Sequence, residues 1–242
     1  MDLVLSSGFL AFARHVGVLA AFEELELRPE AICGTSSGAL VGALWAAGHR
    51  AEEIGRVLSE RAPIAGLRLR ATPWSGLFSL APLVTRLESL LPKTIEALPL
   101  PLAVGVMGPG RRHQLLTSGP LAQAVAASCA MPHVFASIPI AGVPYQDGGA
   151  VDRLGLGAWR TWRGERSAVV HWVERTAGVE VGADLSGLRL IRTPRSGAKL
   201  WHLGDFWGQV AEAKRLAWAV LAVSERGSGV KSSTATRSSS MG

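Results

Sequence analysis

The chain has 242 residues, enough for one domain with a sizeable core, since domains usually run to about 100 to 200 residues. Apolar residues make up 48% of it and charged residues 18%, which excludes disorder for most of the chain. The net charge of +6 fits an arginine-rich surface or an anionic partner. Because the basic residues are scattered and aromatics do not alternate with them, nucleic acid is not the expected partner.

The N-terminal region is the best candidate for a membrane span, and it does not qualify. Arg14, His15 and Glu23 interrupt it before it reaches the roughly 20 apolar residues that a spanning helix requires. It also lacks the cationic start and small-residue cleavage site of a secretory signal, so a cytoplasmic location is expected. Cys33 and Cys129 stand in apolar surroundings without metal-ligand spacing, and we expect both to be buried packing residues.

Short apolar runs alternate along the chain with segments of helical period. The predicted elements, in chain order, are a strand at 3–5, a helix at 13–25, a strand at 31–33, helices at 39–47, 52–60 and 83–91, strands at 102–107 and 113–117, a helix at 121–129, strands at 168–173 and 188–192, and a helix at 206–223. Continuous apolar strands between helices are typical of a mostly parallel sheet covered on both faces. The sequence therefore predicts an α/β fold built in layers.

The composition changes near residue 227. From there to residue 242 the chain is rich in Ser, Gly and Thr and has no apolar period, which predicts a flexible tail. The rest of the chain, residues 1–226, is predicted to form one domain.

Residues 34–38, Gly-Thr-Ser-Ser-Gly, match the pattern G-x-S-x-G. The pattern alone is weak in a chain so rich in glycine and serine, but here a predicted buried strand precedes it and a predicted helix follows. That context is typical of a nucleophile elbow, with Ser36 as the nucleophile and the Ser37 amide as an oxyanion donor. The alternative is a structural turn in which the Ser37 side chain caps the helix.

A base for Ser36 is less easily found. The order Ser, Asp, His of the α/β-hydrolases could be met by Asp147 followed by His171 or His202. However, the residues before Ser36 have room for one strand and one helix, whereas that fold places several strands before its elbow. A different α/β fold must carry this serine.

Four blocks of sequence, in order, resemble the patatin-like phospholipase family. They are "LVLSSG" with "HVGVL", "GTSSGALVGAL", "SGPLAQAVAASCAMPHVF" and "YQDGGAVD". The resemblance implies a three-layer α/β/α sandwich with a mostly parallel sheet. It also implies a Ser-Asp dyad of Ser36 and Asp147, a lipid or ester substrate, and no cofactor.

The chain departs from the family in the loop after its first strand. The family pattern G-G-G-x-[RK]-G falls on residues 7–12, where Gly8 is retained and the basic position is Ala11. The amides of Gly8 and Phe9, with that of Ser37, are the expected oxyanion donors, and Arg14 is a candidate for the missing positive charge. A side chain forced to positive φ costs about 1 to 2 kcal/mol, so the loop either takes another path or bears that strain.

Apolar side chains near this loop and in the stretch "TPWSGLFSLAP" could line an acyl groove or an interfacial lip, or belong to the core. The candidates for contact with substrate are Phe12, Trp74, Phe78 and Arg14, with Leu10 and Leu77 beside them. Eight tryptophans fit peripheral contact with an anionic membrane, where such rings settle at headgroup depth, and they fit a protein core almost as well. Arg111 and Arg112 could contact phosphate headgroups, or simply lie in a solvated turn.

The expected function is therefore a serine lipid acyl hydrolase of the phospholipase A, lysophospholipase or carboxylesterase type. Because the loop at 7–12 is divergent, a catalytically silent lipid-binding protein with the same fold is an alternative. Acyl transfer to an acceptor other than water is another. The sequence does not indicate headgroup, chain length or oligomeric state.

Overall fold

The computed structural model describes residues 1–60, 67–69, 76–174 and 184–228. The strands are β1 (Asp2–Leu5), β2 (Ile32–Thr35), β3 (Arg68–Leu69), β4 (Phe78–Ser79), β5 (Leu102–Gly108), β6 (Arg112–Leu116), β7 (Ile138–Ile140), β8 (Val143–Asp147), β9 (Ala168–Val173) and β10 (Arg189–Thr193). The helices are α1 (Phe12–Glu24), α2 (Ser37–Ala46), α3 (Ala51–Ser59), α4 (Ala81–Glu88), α5 (Leu121–Ser128), α6 (Leu156–Arg163) and α7 (Phe206–Ser228).

Every strand and helix that the sequence predicts is present, with ends that shift by a few residues. The hairpin of β7 and β8 was missed because Pro139 and Pro144 interrupt its apolar pattern, and Pro is depleted in strands. Helix α6 was missed because it is short and its polar face is rich in arginine. Helix α7 runs to Ser228, and the tail beyond it lies outside the described residues, so its flexibility stays a prediction.

An eight-stranded, mostly parallel sheet forms the centre of the fold. Its strand order is β10-β9-β1-β2-β5-β8-β7, with β6 also paired to β5. Neighbours from β10 to β5 run parallel, whereas β6, β7 and β8 form antiparallel pairs. Strands β3 and β4 make a separate two-stranded ribbon.

Side chains that alternate along the central strands divide the core between the two faces of the sheet. Leu3 and Leu5 of β1 pack in a large cluster with α1, α2, α5 and α7, while Val4 packs in a smaller cluster with α6. On that second face the buried Asp2 carboxylate accepts hydrogen bonds from Trp159 Nε1 at 3.0 Å and Arg163 Nε at 2.8 Å. Helices therefore cover both faces, which confirms the three-layer α/β/α sandwich.

Strands β2 and β8 both pair with the same edge of strand β5. Strand β6 pairs with residues 104–108 of β5 along one edge, so β2 and β8 must share the other. There Thr35 of β2 pairs with Gly105, and Asp147 of β8 pairs with Val106. The end of β2 and the end of β8 therefore meet at adjacent residues of one strand.

Helix α7 is the longest helix of the described chain. Within residues 1–60, 67–69, 76–174 and 184–228, no helix combines the length and the apolar character that crossing a bilayer requires.

Candidate active site

Ser36 occupies a sharp turn between β2 and α2. Strand β2 ends at Thr35 and α2 begins at Ser37, with Ser36 between them at φ 55° and ψ −120°. Backbone in such a sparsely populated region costs on the order of 1 to 3 kcal/mol and persists where the surroundings impose it. The first amides of α2 have no partner within the helix, and their dipoles favour negative charge near Ser36. This is the geometry of the predicted elbow.

The two glycines of the motif are required by close backbone packing. A Cβ at Gly34 would lie 2.6 Å from the carbonyl oxygen of Gly38, and a Cβ at Gly38 would lie 2.5 Å from that of Leu5. Neither position has room for a methyl group. Glycine at both ends therefore allows α2 to start directly against β1 and β2.

Ser128, at the end of α5, holds the elbow from the other side. Its buried hydroxyl accepts a hydrogen bond from the Ser36 amide at 2.7 Å and donates one to the Gly105 carbonyl at 2.6 Å. Its neighbour Cys129 donates from Sγ to the Ser36 carbonyl at 3.5 Å. Cys33 is buried as predicted, whereas Cys129 is half-buried and lies on the cleft described below.

Asp147 lies at the end of β8, beside the Ser36 hydroxyl. It is only 8% exposed, and this burial raises the pKa of its carboxyl group to about 6. A hydrogen bond with the Ser36 side chain and one from the Gly149 amide, at 2.7 Å, act in the opposite direction on that pKa. A Cβ on Gly149 would overlap the Ser7 side chain. The glycine thus lets the β1–α1 loop approach Asp147.

The β1–α1 loop, residues 6–11, forms a tight turn. The Ala11 amide donates to the Gly8 carbonyl at 3.2 Å, and Leu10 adopts φ 50°. Phe9 is outside the left-handed region and is 51% exposed. Ser196 Oγ donates to the Leu10 carbonyl at 3.0 Å. The loop therefore bears its strain at Leu10 and is stabilised there by a residue distant in sequence.

Two expectations near this loop need correction. Arg14 is buried and pairs with Glu212 of α7 at 2.5 Å, so its charge is directed to the helix packing and not to the cleft. The Ser37 side chain does not cap α2. Ser37 Oγ instead lies 3.1 Å from His15 Nε2.

His15 belongs to a buried chain of side chains that sequence reasoning missed. Its Nδ1 lies 2.8 Å from Nδ1 of His171, and His171 Nε2 lies 2.9 Å from Thr193 Oγ1. Burial lowers the pKa of His15 to about 3 and that of His171 well below its usual value, so both rings are neutral. His171 is therefore committed to this chain and does not serve Asp147 as the histidine of a triad. No local pattern would have paired it with His15.

Ser36 and Asp147 open onto a cleft of about 1540 Å³. Its apolar wall is formed by Phe12, Leu40, Leu58, Leu80, Leu83, Met131 and Phe135. Of the side chains expected to contact substrate, Phe12 lies on this wall, whereas Phe78 lies behind it, with its ring centroid 6.4 Å from that of Phe135. Trp74 lies outside the described residues.

The rim of the cleft is basic and partly apolar. Among the described residues that line the cleft, the basic side chains are Arg68, Arg86, Arg111, Arg153, Arg195 and Lys199, and the acidic ones are Asp147 and Glu174. Phe9 is an exposed part of the lining, and the exposed Leu69 and Trp201 each follow a lining residue directly. The lining of the cleft therefore combines apolar side chains with an excess of basic over acidic ones.

The fold and this arrangement define a class: a three-layer α/β/α protein with a serine elbow facing a buried aspartate. A family model, the patatin-like phospholipase, matches residues 3–158. The chain belongs to the patatin-like phospholipase family, a membership that supports a lipid hydrolase at the level of the family.

Curated relatives agree with this membership. Uncharacterized NTE family proteins of Mycobacterium bovis and Mycobacterium tuberculosis are 32% identical over 156 residues. The match covers 63% of this chain and 43% of each relative, so the chain spans less than half of their length.

One solved structure, VipD, shows the same fold at low identity. VipD from Legionella pneumophila superposes with a TM-score of 0.56 at 14% identity, over 92% of this chain and 66% of that one. ExoU from Pseudomonas aeruginosa, solved with SpcU, gives a TM-score of 0.49 at 14% identity, over 92% and 52% of the two chains.

Proposed function

We propose that this protein is a serine lipid acyl hydrolase with Ser36 as nucleophile and Asp147 as general base. The observation that carries the proposal is the buried Asp147 carboxyl group beside the Ser36 hydroxyl, with its pKa raised to about 6. An ordinary aspartate is a weak base, and a pKa closer to neutrality makes it a better acceptor for the serine proton.

The reaction follows from the positions of these groups. Asp147 accepts the proton as Ser36 Oγ attacks the ester carbonyl, and the amides of Gly8, Phe9 and Ser37 stabilise the negative charge on the carbonyl oxygen. Asp147 then returns the proton to the departing alcohol, which leaves an acyl-enzyme. Water that loses its proton to Asp147 attacks this ester, and the fatty acid is released as Asp147 returns that proton to Ser36 Oγ. The protein needs no cofactor for these steps.

The shape of the cleft supports a lipid as substrate. Its volume of about 1540 Å³ exceeds the roughly 300 to 1,000 Å³ of common small-molecule pockets, and its wall of aliphatic and aromatic side chains suits an acyl chain. A carboxylesterase of simple esters remains within the same chemistry. The relative turnover of phospholipid, lysophospholipid and short-chain ester distinguishes these substrate types.

The rim of the cleft supports contact with an anionic lipid surface as the source of substrate. Trp201 is 64% exposed, and the ammonium of Lys199 lies 6.0 Å from the centroid of its ring. Aromatic rings settle at headgroup depth, and basic side chains are attracted to anionic lipid. Lys199 lines the cleft onto which Ser36 opens, and Trp201 directly follows the lining residue Leu200.

Sedimentation with vesicles tests this contact. We expect binding to phosphatidylcholine vesicles that contain phosphatidylglycerol, weaker binding without it, and loss of binding in added salt. Trp201→Ala should weaken binding, while Trp218→Ala, an exposed tryptophan of α7, should not. Equal binding to neutral and anionic vesicles would contradict the electrostatic part.

Turnover of nitrophenyl esters and phospholipids tests the proposed chemistry. Ser36→Ala and Asp147→Asn should each abolish hydrolysis, while the matched changes Ser59→Ala and Asp184→Asn, at sites that do not line the cleft, should leave it intact. Wild-type turnover in either site variant would overturn the dyad. Product analysis with added alcohol or lysolipid separates hydrolysis from acyl transfer, and no turnover of any ester would favour the silent lipid-binding alternative.

A further inference from the structure

Arg153 holds the backbone of Ser7 on both sides. The Ser7 amide donates to the Arg153 carbonyl at 2.8 Å, and Arg153 Nη2 donates to the Ser7 carbonyl at 2.8 Å. The same Nη2 donates to the carbonyl of Val173 at 2.5 Å. Arg153 therefore joins the start of the β1–α1 loop to the end of β9, from a position shortly after Asp147.

The bond to the Ser7 carbonyl also fixes its neighbour. The Ser7 carbonyl and the Gly8 amide belong to one planar peptide unit and point in opposite directions. Among the described residues, no hydrogen-bond acceptor is present for the amides of Gly8 and Phe9. Amides that are held in direction and still available to a ligand are what an oxyanion hole requires.

The loop itself has little to stabilise this conformation. It contains one glycine and no charged side chain, and Leu10 bears a positive φ. Hydrogen bonds from a guanidinium to a carbonyl are charge-assisted and stronger than neutral ones, so Arg153 can hold a strained loop. Arg153 also lines the cleft.

We propose that Arg153 is a positioning residue, which orients the Ser7–Gly8 peptide so that the Gly8 amide serves as an oxyanion donor. This inference rests on the proposed hydrolase function and adds a residue to its machinery. Arg153 acts through the backbone of the loop and transfers no proton itself.

Kinetics of Arg153→Ala test the proposal against a matched control. Arg192 also stacks on Trp172, 5.7 Å from its ring centroid compared with 5.9 Å for Arg153, but makes no bond to Ser7. We expect Arg153→Ala to lower kcat for a nitrophenyl ester by about 10² to 10³ with little change in KM, as for the loss of one oxyanion donor. Arg192→Ala should keep wild-type kcat. Added guanidinium at non-denaturing concentration should restore part of the kcat of Arg153→Ala alone.

The outcomes separate this inference from the function on which it rests. If Arg153→Ala is folded and turns over like Arg192→Ala, or loses activity through KM alone, or gains nothing from guanidinium, the positioning role is wrong and the hydrolase stands. An inactive wild-type protein would overturn both. If Arg153→Ala does not fold, Arg153→Lys is the deciding variant, because it keeps the positive charge without the forked donors. We expect its kcat to be at least tenfold below that of the wild type. A wild-type kcat would overturn the inference.

Discussion

Thr35 and Asp147 pair with adjacent residues on the same edge of β5, Gly105 and Val106. Because β2 runs parallel to β5 and β8 runs antiparallel to it, the two strands end toward each other. Ser36, which follows Thr35, is thereby placed beside the Asp147 carboxyl group. The register of the sheet, and not a flexible loop, sets this approach.

The raised pKa of Asp147 predicts that the rate of ester hydrolysis depends on pH. As a general base the carboxyl group must be ionised, so kcat/KM for a nitrophenyl ester should fall about tenfold per pH unit below an apparent pKa of about 6. The profile is measured from pH 5 to 8, with circular dichroism to verify that the fold is intact. A value of kcat/KM that stays constant down to pH 5 would show that Asp147 titrates as an ordinary aspartate.

The burial of Asp147 also lowers the free energy of unfolding when its carboxyl group is ionised. Since its pKa is about 6 in the folded chain and 3.8 is its ordinary value, the folded state binds the proton more tightly, and stability is lost as pH rises through this window. Asp147→Asn should therefore raise the free energy of unfolding by up to about 3 kcal/mol at pH 8. The gain should shrink toward pH 4. Urea denaturation at both pH values measures it, and equal stability at pH 8 would contradict the pKa.

The buried histidines make stability depend on pH in the opposite direction. His15 and His171 stay neutral in the folded chain but bind protons when unfolded, so stability should fall below pH 6.5 by about 1.4 kcal/mol per pH unit for each ring. Burial also lowers the pKa of His113, so this ring changes the pH dependence of stability in the same direction. Urea denaturation of Asp147→Asn removes the opposing contribution. The exposed His202→Ala should keep the slope, and stability that is flat from pH 6.5 to 5 would be inconsistent with neutral buried rings.

Two glycine substitutions test the packing of the elbow. Gly38→Ala should destabilise the fold by about 1 to 3 kcal/mol or more, because its Cβ would meet the Leu5 carbonyl. Gly157→Ala, in α6, meets no atom within 4 Å and should stabilise by about 0.5 to 1 kcal/mol. Thermal unfolding of both variants gives the comparison. A tolerated Gly38→Ala would mean that α2 is free to move away from β1.

The hydroxyl of Ser128 should contribute to both stability and activity. Ser128→Ala leaves the Ser36 amide and the Gly105 carbonyl without their partner, which typically costs about 1 to 3 kcal/mol for a buried group. Since the elbow is strained, we also expect slower turnover. Unfolding and ester hydrolysis are compared with Ser59→Ala, a half-buried serine that does not line the cleft. Unchanged values in Ser128→Ala would show that other contacts hold Ser36.

Features set by neighbouring residues could be predicted from the sequence. The apolar run before Gly34 and the helical run after Gly38 predict the elbow, because a strand, a tight turn and a helix are each specified locally. The alternation of such runs predicts the layered sheet for the same reason. The four sequence blocks also predict the family, which the match of the family model to residues 3–158 confirms.

Features set by distant pairs could not be predicted. The partners of His15 and Ser7, which are His171 and Arg153, belong to other strands and loops and leave no local pattern. Arg14 was assigned to the cleft from its nearness in sequence, but Glu212 of α7 determines where its side chain lies. The β8 strand that carries Asp147 was missed because Pro144 weakens its pattern, so the residue was found through its motif alone.

Covalent labelling tests most directly the central proposal, that Ser36 is the nucleophile. A fluorophosphonate requires an activated serine, an oxyanion hole and an open cleft, and leaves a stable adduct that mass spectrometry locates on one peptide. We expect a single adduct on Ser36 of the folded wild-type protein, none in Ser36→Ala, and much slower labelling in Asp147→Asn. No adduct on folded wild-type protein, or an adduct that persists in Ser36→Ala, would contradict Ser36 as the nucleophile.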